Sequence, residues 1–172
     1  MGKITYPEKV KLIIAMLSSS EELFETAQRR LEQVFGSIDF CSQILPFTFT
    51  QYYMPEMGED LKRRFISFSL RIQPEELAGI KVLTNSIEQE FIVGDRRRIN
   101  LDSGYITAAK LILATTKDNS HRIYLSNGIY AEITLRFVSG TFRPWEWTYP
   151  DYKTPEYIEI FNHIRQLFME QR

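Results

Sequence analysis

The chain has 172 residues, 44% of them hydrophobic and 25% charged, a composition typical of a folded globular protein and unlike that of a disordered one. Its 21 Lys and Arg against 22 Asp and Glu give a formal net charge of −1, which argues against a protein that binds nucleic acid through a general excess of positive charge. No apolar run reaches the roughly 20 residues that cross a bilayer and no signal-peptide core is present, so we expect a single cytoplasmic domain, residues 1–172, without a membrane partner.

The first predicted elements are a buried strand, an amphipathic helix and a second strand. Residues 9–17 form a near-continuous apolar run, too short for a typical helix, that predicts a central strand covered on both faces. Apolar side chains then recur at helical spacing up to Phe35, and Gly36 predicts the end of that helix. Alternation over residues 38–44 predicts a second strand, in which we expect Cys41 to be buried.

The next elements continue the alternation of strands and helices. Two prolines, a glycine and adjacent tyrosines predict a long loop with one helical turn over residues 46–61. Residues 66–72 predict a third strand, Pro74 predicts the start of a second helix, and a fourth strand is expected between Phe91 and Leu101. The order βαββαβ, over about residues 9–101, predicts an α+β fold with a ferredoxin-like core, in which two helices cover one face of an antiparallel sheet.

The last third of the chain, about residues 102–172, predicts a C-terminal helix–β-hairpin–helix extension of this core. The first helix is expected near residues 107–114, and an aromatic loop follows the hairpin. Thr154 followed by Pro155 has the cap and first-turn proline of a final helix. That helix carries an apolar stripe, so we expect it to pack on the rest of the domain.

The predicted hairpin has two possible registers. A two-residue Asn-Gly turn mixes apolar and polar side chains on each face, whereas a three-residue loop with Gly128 in the left-handed conformation makes one face apolar throughout. We therefore predict the second register, which places Arg122 opposite Glu132 and Tyr124 opposite Tyr130.

Several familiar activities lack their sequence signatures. The chain contains no G-x-x-x-x-G-K-[ST] phosphate loop, no G-x-G-x-x-G dinucleotide motif, no G-x-S-x-G nucleophile elbow and no H-E-x-x-H metal motif. A single cysteine excludes an intramolecular disulfide and a multi-cysteine zinc site. A metal site built from Asp102, Asp118 and His121 has no supporting ligand spacing. The sequence therefore predicts no metal site and assigns no cofactor.

Candidate phosphate-binding residues begin with an arginine run. In an extended segment Arg96 and Arg98 share one side beside Asn100, and their guanidinium groups could hold a phosphate through paired hydrogen bonds. The alternative is a solvated turn or a charged strand edge. Lys117 and Arg122 strengthen the phosphate interpretation only if they converge on the same point.

Proton transfer and stacking have separate candidates. His121 and Glu132 are the candidate catalytic residues, with a packing role for His121 as the alternative. Aromatic side chains could bracket a flat ligand, or they could seal the sheet under the loop of residues 142–152. The complete predicted ligand-binding set is Arg96, Arg98, Asn100, Asp102, Lys117, Arg122, Tyr124, Tyr130, Trp147 and Tyr149.

Several short segments resemble one known family. They are NLDSGY at residues 100–105, LATTKD at 113–118, HRIYL at 121–125, GIYAE at 128–132 and WTYPDY at 147–152, with further likeness at residues 10–12 and at Phe47, Tyr52 and Tyr53. The family is an uncharacterised prokaryotic one, domain of unknown function 4416, and the likeness covers nearly the whole chain. This resemblance implies a small prokaryotic cytoplasmic protein, and it carries over no activity and no catalytic residue.

Three hypotheses about function follow. The first is a pocket protein, with enzymatic activity and oligomeric state left open, for a phosphate-bearing small molecule or nucleotide; it requires Arg98, Lys117, Arg122 and Glu132 to line one cleft. The second is an RNA-binding module that stacks bases on exposed sheet aromatics, against which the neutral charge argues. The third is a non-catalytic assembly or regulatory protein with the aromatic loop as its interface. We rank the pocket protein first.

Overall fold

The computed structural model describes residues 2–172, which form four α-helices and one nine-stranded sheet. The helices are α1 Glu21–Phe35, α2 Met54–Met57, α3 Leu77–Glu90 and α4 Pro155–Glu170. The strands are β1 Val10–Ser18, β2 Ile38–Cys41, β3 Leu45–Pro46, β4 Lys62–Ile72, β5 Asn100–Ile106, β6 Lys110–Thr115, β7 Arg122–Ser126, β8 Ile129–Val138 and β9 Thr141–Pro144. Within residues 2–172, no helix combines the length and the apolar character needed to span a membrane.

The sheet is antiparallel and continuous through both halves of the chain. Its main path runs β2-β4-β1-β5-β6-β8-β7, while β3 pairs with β4 and β9 pairs with β8. β5 pairs with β1 on one side and with β6 on the other, so the C-terminal strands extend the sheet that the N-terminal strands begin. The fold is therefore of the α+β type, with an antiparallel sheet and helices packed on it.

Helices cover both faces of this sheet. α1 and α3 pack on one face, where Leu12 of β1 lies in the same core as Phe24 and Ile80, and this matches the prediction of two helices on one face. α4 packs on the opposite face, where Phe161 joins Ile13 in a second core. Every position of β1 is buried, as its continuous apolar run predicts.

The prediction of a helix near residues 107–114 is wrong. Lys110–Thr115 is strand β6, paired with β5 and β8. A short apolar run fits a buried strand and a buried helix equally well. Here the segment forms a strand because it pairs with β5 on one side and with β8 on the other. The C-terminal extension therefore consists of four strands and α4, and it has no first helix.

Two other boundaries differ from the prediction, and one loop agrees with it. The fourth strand is Asn100–Ile106, so it lies across the expected division between core and extension. The strand expected at residues 38–44 ends at Cys41 as β2, and β3 follows beyond the predicted range; Cys41, predicted to be buried, is exposed because β2 forms one end of the sheet. The loop over residues 46–61 contains the expected single helical turn, α2.

The hairpin of β7 and β8 has the predicted register and a different turn. Arg122 lies opposite Glu132, as predicted. Asn127 and Gly128 both have positive φ angles, 54° and 74°, which is the geometry of a two-residue Asn-Gly turn rather than a three-residue loop. An irregularity at Leu125 shifts the pairing by one residue and restores the predicted register beyond the turn.

Candidate functional site

A cleft of about 780 Å³ opens where β5 and β6 separate. The two strands pair only at residues 104–106 and 111–113. At the point of separation a side chain on Gly104 would place its Cβ 2.3 Å from the Ile112 carbonyl oxygen, so the close pairing requires glycine. Beyond Gly104, Asn100 and Asp102 of β5 line the cleft instead of pairing with β6.

The cleft gathers charged side chains that are distant in sequence. Its basic lining residues are Arg63, Lys81, Arg97, Lys117 and Arg122. Its acidic lining residues are Glu56, Glu88, Asp102, Glu132 and Asp151. Within residues 2–172, no group of three or more His, Cys, Asp or Glu side chains has an arrangement that could hold a metal ion.

Arg63 of β4 lies at the floor of the cleft and is 2% exposed. Its Nη1 is 3.6 Å from Oδ2 of Asp102, and its Nη2 is 3.5 Å from Oδ2 of Asp151. Asp102 has closer partners, since Asn100 donates to its Oδ2 at 2.8 Å and Lys81 Nζ lies 3.4 Å from its Oδ1. Burial acts to raise the pKa of Asp102, but Lys81, Arg63 and Asn100 outweigh it and lower that pKa.

Arg97 connects the loop that carries α2 to helix α3. Its Nη2 is 2.9 Å from Glu56, and its Nη1 is 3.2 Å from Glu88 and donates to Asn100 at 3.0 Å. Glu88 also accepts the Leu101 backbone N–H at 2.6 Å. Burial raises the pKa of Glu88. This wall of the cleft is therefore a network of charge-assisted hydrogen bonds, in which only Arg97 Nε is buried without a partner in the described chain.

The opposite wall is built around Arg122 of the hairpin. Its Nε donates to Glu132 at 3.0 Å, and its Nη2 donates to the Tyr149 hydroxyl at 2.9 Å. The same Glu132 oxygen lies 3.1 Å from Nε2 of His121, whose ring stacks on Trp147. Because Glu132 is buried and bound to Arg122, it is placed to orient His121.

The mouth of the cleft is bridged by Lys117 and Tyr52. Lys117 Nζ lies 3.3 Å from the Tyr52 hydroxyl and 4.3 Å from the centre of its ring. Lys117 forms no salt bridge with any carboxylate of residues 2–172. Tyr53 lies beside Tyr52 and is partly buried, and this burial raises its pKa.

Six of the twelve residues predicted from the sequence line this cleft: Asn100, Asp102, Lys117, Arg122, Glu132 and Tyr149. The other six do not: Arg96, Arg98, His121, Tyr124, Tyr130 and Trp147. Arg96 and Arg98 are exposed, and Tyr124 and Tyr130 pack against each other on the hairpin. The pocket hypothesis required four residues in one cleft, and Arg98 is the one that lies elsewhere.

Sequence reasoning missed six charged lining residues: Glu56, Arg63, Lys81, Glu88, Arg97 and Asp151. Arg97 had a usable signal, because in an extended run it points away from Arg96 and Arg98. Arg63 also had one, since it shares a strand face with the buried Phe65 two residues later. Lys81 and Glu88 lie on a helix, and their approach to the cleft depends on the separation of two strands that the sequence did not predict.

Comparison with known proteins gives one match. A family model described as Domain of unknown function (DUF4416) matches residues 8–168, a span that includes every residue lining the cleft. No curated protein and no solved structure matches the chain.

Proposed function

The chain belongs to the family described as Domain of unknown function (DUF4416), and we propose that the cleft of this family member binds a phosphate-bearing small molecule or nucleotide. The observation that carries the proposal is the convergence of five basic side chains in a protein whose formal net charge is −1. Arginine and lysine are the residues with which proteins hold phosphate oxygens, and the lower polarity at the floor of a cleft strengthens each such contact.

Part of this positive charge has no close carboxylate partner. Lys117 at the mouth contacts the Tyr52 hydroxyl and ring, and Arg63 at the floor has carboxylate oxygens no nearer than 3.5 Å. Burial also raises the pKa of Asp151, which favours its neutral form. An anion entering the cleft therefore meets basic groups that the protein leaves incompletely neutralised.

The size and aromatic lining of the cleft suit a flat group attached to the phosphate. About 780 Å³ falls within the range of roughly 300–1,000 Å³ that is usual for small-molecule sites. Tyr52 and Tyr53 lie on one side and Tyr149 on another, and the hydrogen bond from Arg122 fixes the Tyr149 hydroxyl. Such rings stack on nucleobases and on other planar groups.

The alternative functions lack a supporting observation of this kind. Phe65 and Phe68, the aromatic residues of β4, are both fully buried, so this strand offers no surface for base stacking. Trp145 and Trp147 of the aromatic loop stack on each other, and Trp147 also stacks on His121. We therefore carry forward a single candidate function.

We also propose that strands β2, β4, β1 and β5, with α1 and α3, form a ferredoxin-like core within the larger sheet. Their order along the sheet and the position of both helices on one face support this. A single domain over residues 1–172 is supported by the continuous sheet, and a cytoplasmic, prokaryotic setting by the single cysteine and by the family resemblance.

A titration series tests the proposed function. Nucleotides and sugar phosphates are added to the purified chain, first in a thermal-shift screen and then by calorimetry, and ³¹P spectra of the same samples detect any turnover. We expect at least one phosphate compound to raise the melting temperature and its unphosphorylated counterpart to have no effect.

Two variants make the test specific to the cleft. Lys117→Ala removes a basic group that has no salt bridge within the described chain, and we expect it to weaken binding about tenfold. Lys9→Ala is the matched control, because Lys9 is exposed and lies outside the cleft. Absence of any ligand effect, or equal affinity in both variants, would contradict the proposed function.

A further inference from the structure

The floor of the cleft contains a cluster of hydrogen-bond donors without acceptors. The Nε and Nη1 atoms of Arg63 and the hydroxyl groups of Tyr152 and Tyr157 are all buried and have no hydrogen-bond partner among the described residues. Such groups are rare in folded proteins, because each one left unpaired costs about 1–3 kcal/mol of stability. Four such atoms, on three neighbouring residues, call for a functional explanation.

Arg63 has donor capacity that the protein does not use. A guanidinium group carries five N–H donors, and a fully buried one normally directs most of them to acceptors. Here the two nearest carboxylate oxygens, on Asp102 and Asp151, lie at 3.6 and 3.5 Å, beyond the usual length of a charge-assisted hydrogen bond. The position of Arg63 is nevertheless fixed, since its guanidinium also packs 4.9 Å from the centre of the Phe47 ring.

The two tyrosines pack on each other beside Arg63, and of the two only Tyr152 lines the cleft itself. Tyr152 lines the cleft and is 3% exposed, while Tyr157, 1% exposed, packs against it with ring centres 5.8 Å apart. Burial raises the pKa of Tyr152, and it raises the pKa of Tyr157 to about 12, although nearby Arg63 acts in the opposite direction on both. Both hydroxyls therefore keep their protons at neutral pH and are available as donors.

We propose that Arg63, Tyr152 and Tyr157 form a subsite at the cleft floor that binds the phosphate group of the ligand through its anionic oxygens. This subsite presupposes the proposed function, and it adds the orientation of the ligand: phosphate at the floor and the flat group toward Tyr52 at the mouth. The oxygens of a phosphate group accept hydrogen bonds. They would therefore provide acceptors for the unpaired N–H and O–H groups of these three residues.

The neighbouring carboxylates neutralise Arg63 only in part, because their oxygens lie 3.5 Å or more from its nitrogens. Asp102 is balanced by Lys81, whose Nζ lies 3.4 Å away, and it also accepts a hydrogen bond from Asn100. Asp151 is buried, and burial raises its pKa toward the neutral form. When Asp151 is protonated, Arg63 keeps only Asp102 as a negatively charged neighbour, at 3.6 Å and shared with Lys81, and the Asp151 carboxyl group becomes a further donor.

The experiment uses tyrosine-to-phenylalanine variants, which remove a hydroxyl without leaving a cavity. Binding of inorganic phosphate to the full chain is measured by calorimetry at constant ionic strength, and urea unfolding is measured without phosphate. For Tyr152→Phe and Tyr157→Phe we expect about tenfold weaker phosphate binding, with unchanged or increased stability of the phosphate-free protein. Tyr130→Phe, on the hairpin and outside the cleft, is the matched control and should leave both quantities unchanged.

Each contrary result overturns a defined part of this assignment. Wild-type phosphate affinity in both phenylalanine variants overturns the subsite, and so does a loss of phosphate-free stability, which would show that the hydroxyls serve the fold. If Lys117→Ala weakens binding and the phenylalanine variants do not, the cleft keeps its proposed function and the floor subsite is excluded. If neither inorganic phosphate nor any phosphate compound binds, both proposals fail together.

Discussion

Lys11 and Arg63 are both buried basic side chains beneath α4, and they differ in how completely their charge is satisfied. Lys11 of β1 is 0% exposed; it is paired with Asp39 and donates to Gln171 at 3.0 Å. Asp39 in turn accepts from Ser67 at 2.7 Å and from Gln171 at 3.0 Å. Arg63, at the other end of the same face, has only long contacts with carboxylates and two unpaired nitrogen atoms.

The comparison separates a structural charge from a functional one. Removing a charge from water costs several kcal/mol, which is offset only when close partners and further hydrogen bonds complete its surroundings. The Lys11 cluster meets that condition without any ligand. The Arg63 cluster does not, and it is also the one that opens into a cleft. Burial alone therefore does not identify a binding residue; Arg63 is distinguished because its unused donors lie at a cleft.

The largest expected loss of stability comes from removing Asp39 from the Lys11 cluster. Asp39→Ala leaves the Lys11 ammonium group buried with only Gln171 as a partner, and we expect a loss of about 3–5 kcal/mol in the free energy of unfolding in urea. Glu8→Ala, which removes an exposed pair with Arg172, is the control and should cost less than about 1 kcal/mol. Equal losses in the two variants would remove the distinction between the clusters.

A smaller loss is expected at Arg63, although its burial is comparable. Arg63→Met keeps most of the side-chain volume, Asp102 retains Lys81 and Asn100, and Asp151 can take up a proton. We expect a cost of about 1–3 kcal/mol in urea unfolding, below that of Asp39→Ala, together with loss of phosphate binding. A cost above that of Asp39→Ala would make Arg63 a structural residue.

The pH dependence of stability should have opposite signs in the two clusters. The pKa of Asp39 is lowered, because Lys11, Ser67 and Gln171 outweigh burial, whereas burial raises the pKa of Asp151. Ionised Asp39 therefore stabilises the fold above its unfolded-state pKa, and this stabilisation is lost as pH falls. Ionisation of Asp151 has the opposite effect, because it lowers stability as pH rises through its raised pKa. Relative to wild type, Asp39→Asn should be least destabilising in acid and Asp151→Asn least destabilising at neutral pH. Urea unfolding across a pH series measures both trends, and parallel trends would contradict the assignment.

The smallest expected effect is at the C-terminal end of α4. Gln171→Ala removes one hydrogen bond to Lys11 and one to Asp39 while leaving their ion pair in place. We expect a loss of about 1 kcal/mol in urea unfolding and no change in phosphate affinity. A change in phosphate affinity would show that the two clusters are coupled.

Local patterns in the sequence predicted much of the fold. The apolar run of β1, the end of α1 before Gly36, the cap of α4 at Thr154 and the pairing of Arg122 with Glu132 all depend on neighbouring residues or on one hairpin. β6 was predicted as a helix because a short apolar run has no period of its own, and its identity is set by pairing with distant strands.

The candidate site was predicted only where its residues are close in sequence. Residues 100–149 supplied six lining positions, whereas Arg63, Lys81 and Asp151 enter the cleft through tertiary structure. The alternation of β4 places Arg63 on the predicted polar face with Ser67 and Arg71, where only Phe65 indicates burial. The apolar stripe of α4 was the available signal, because that helix needed a sheet face to cover, and covering it buries Lys11 and Arg63.

Helix α4 extends from the buried Arg63 side chain at its N-terminal end to the buried Lys11 side chain at its C-terminal end. Tyr157 lies in its first turn, Gln171 follows its last residue, and 16 helical residues span about 24 Å. If this helix opens as one cooperative unit, its amide protons exchange with solvent only when both ends are released together. Phosphate bound near Tyr157 would then also slow amide exchange near Gln171. Exchange at this far end of the helix would therefore show whether the cleft is occupied, although the contacts of Gln171 do not change.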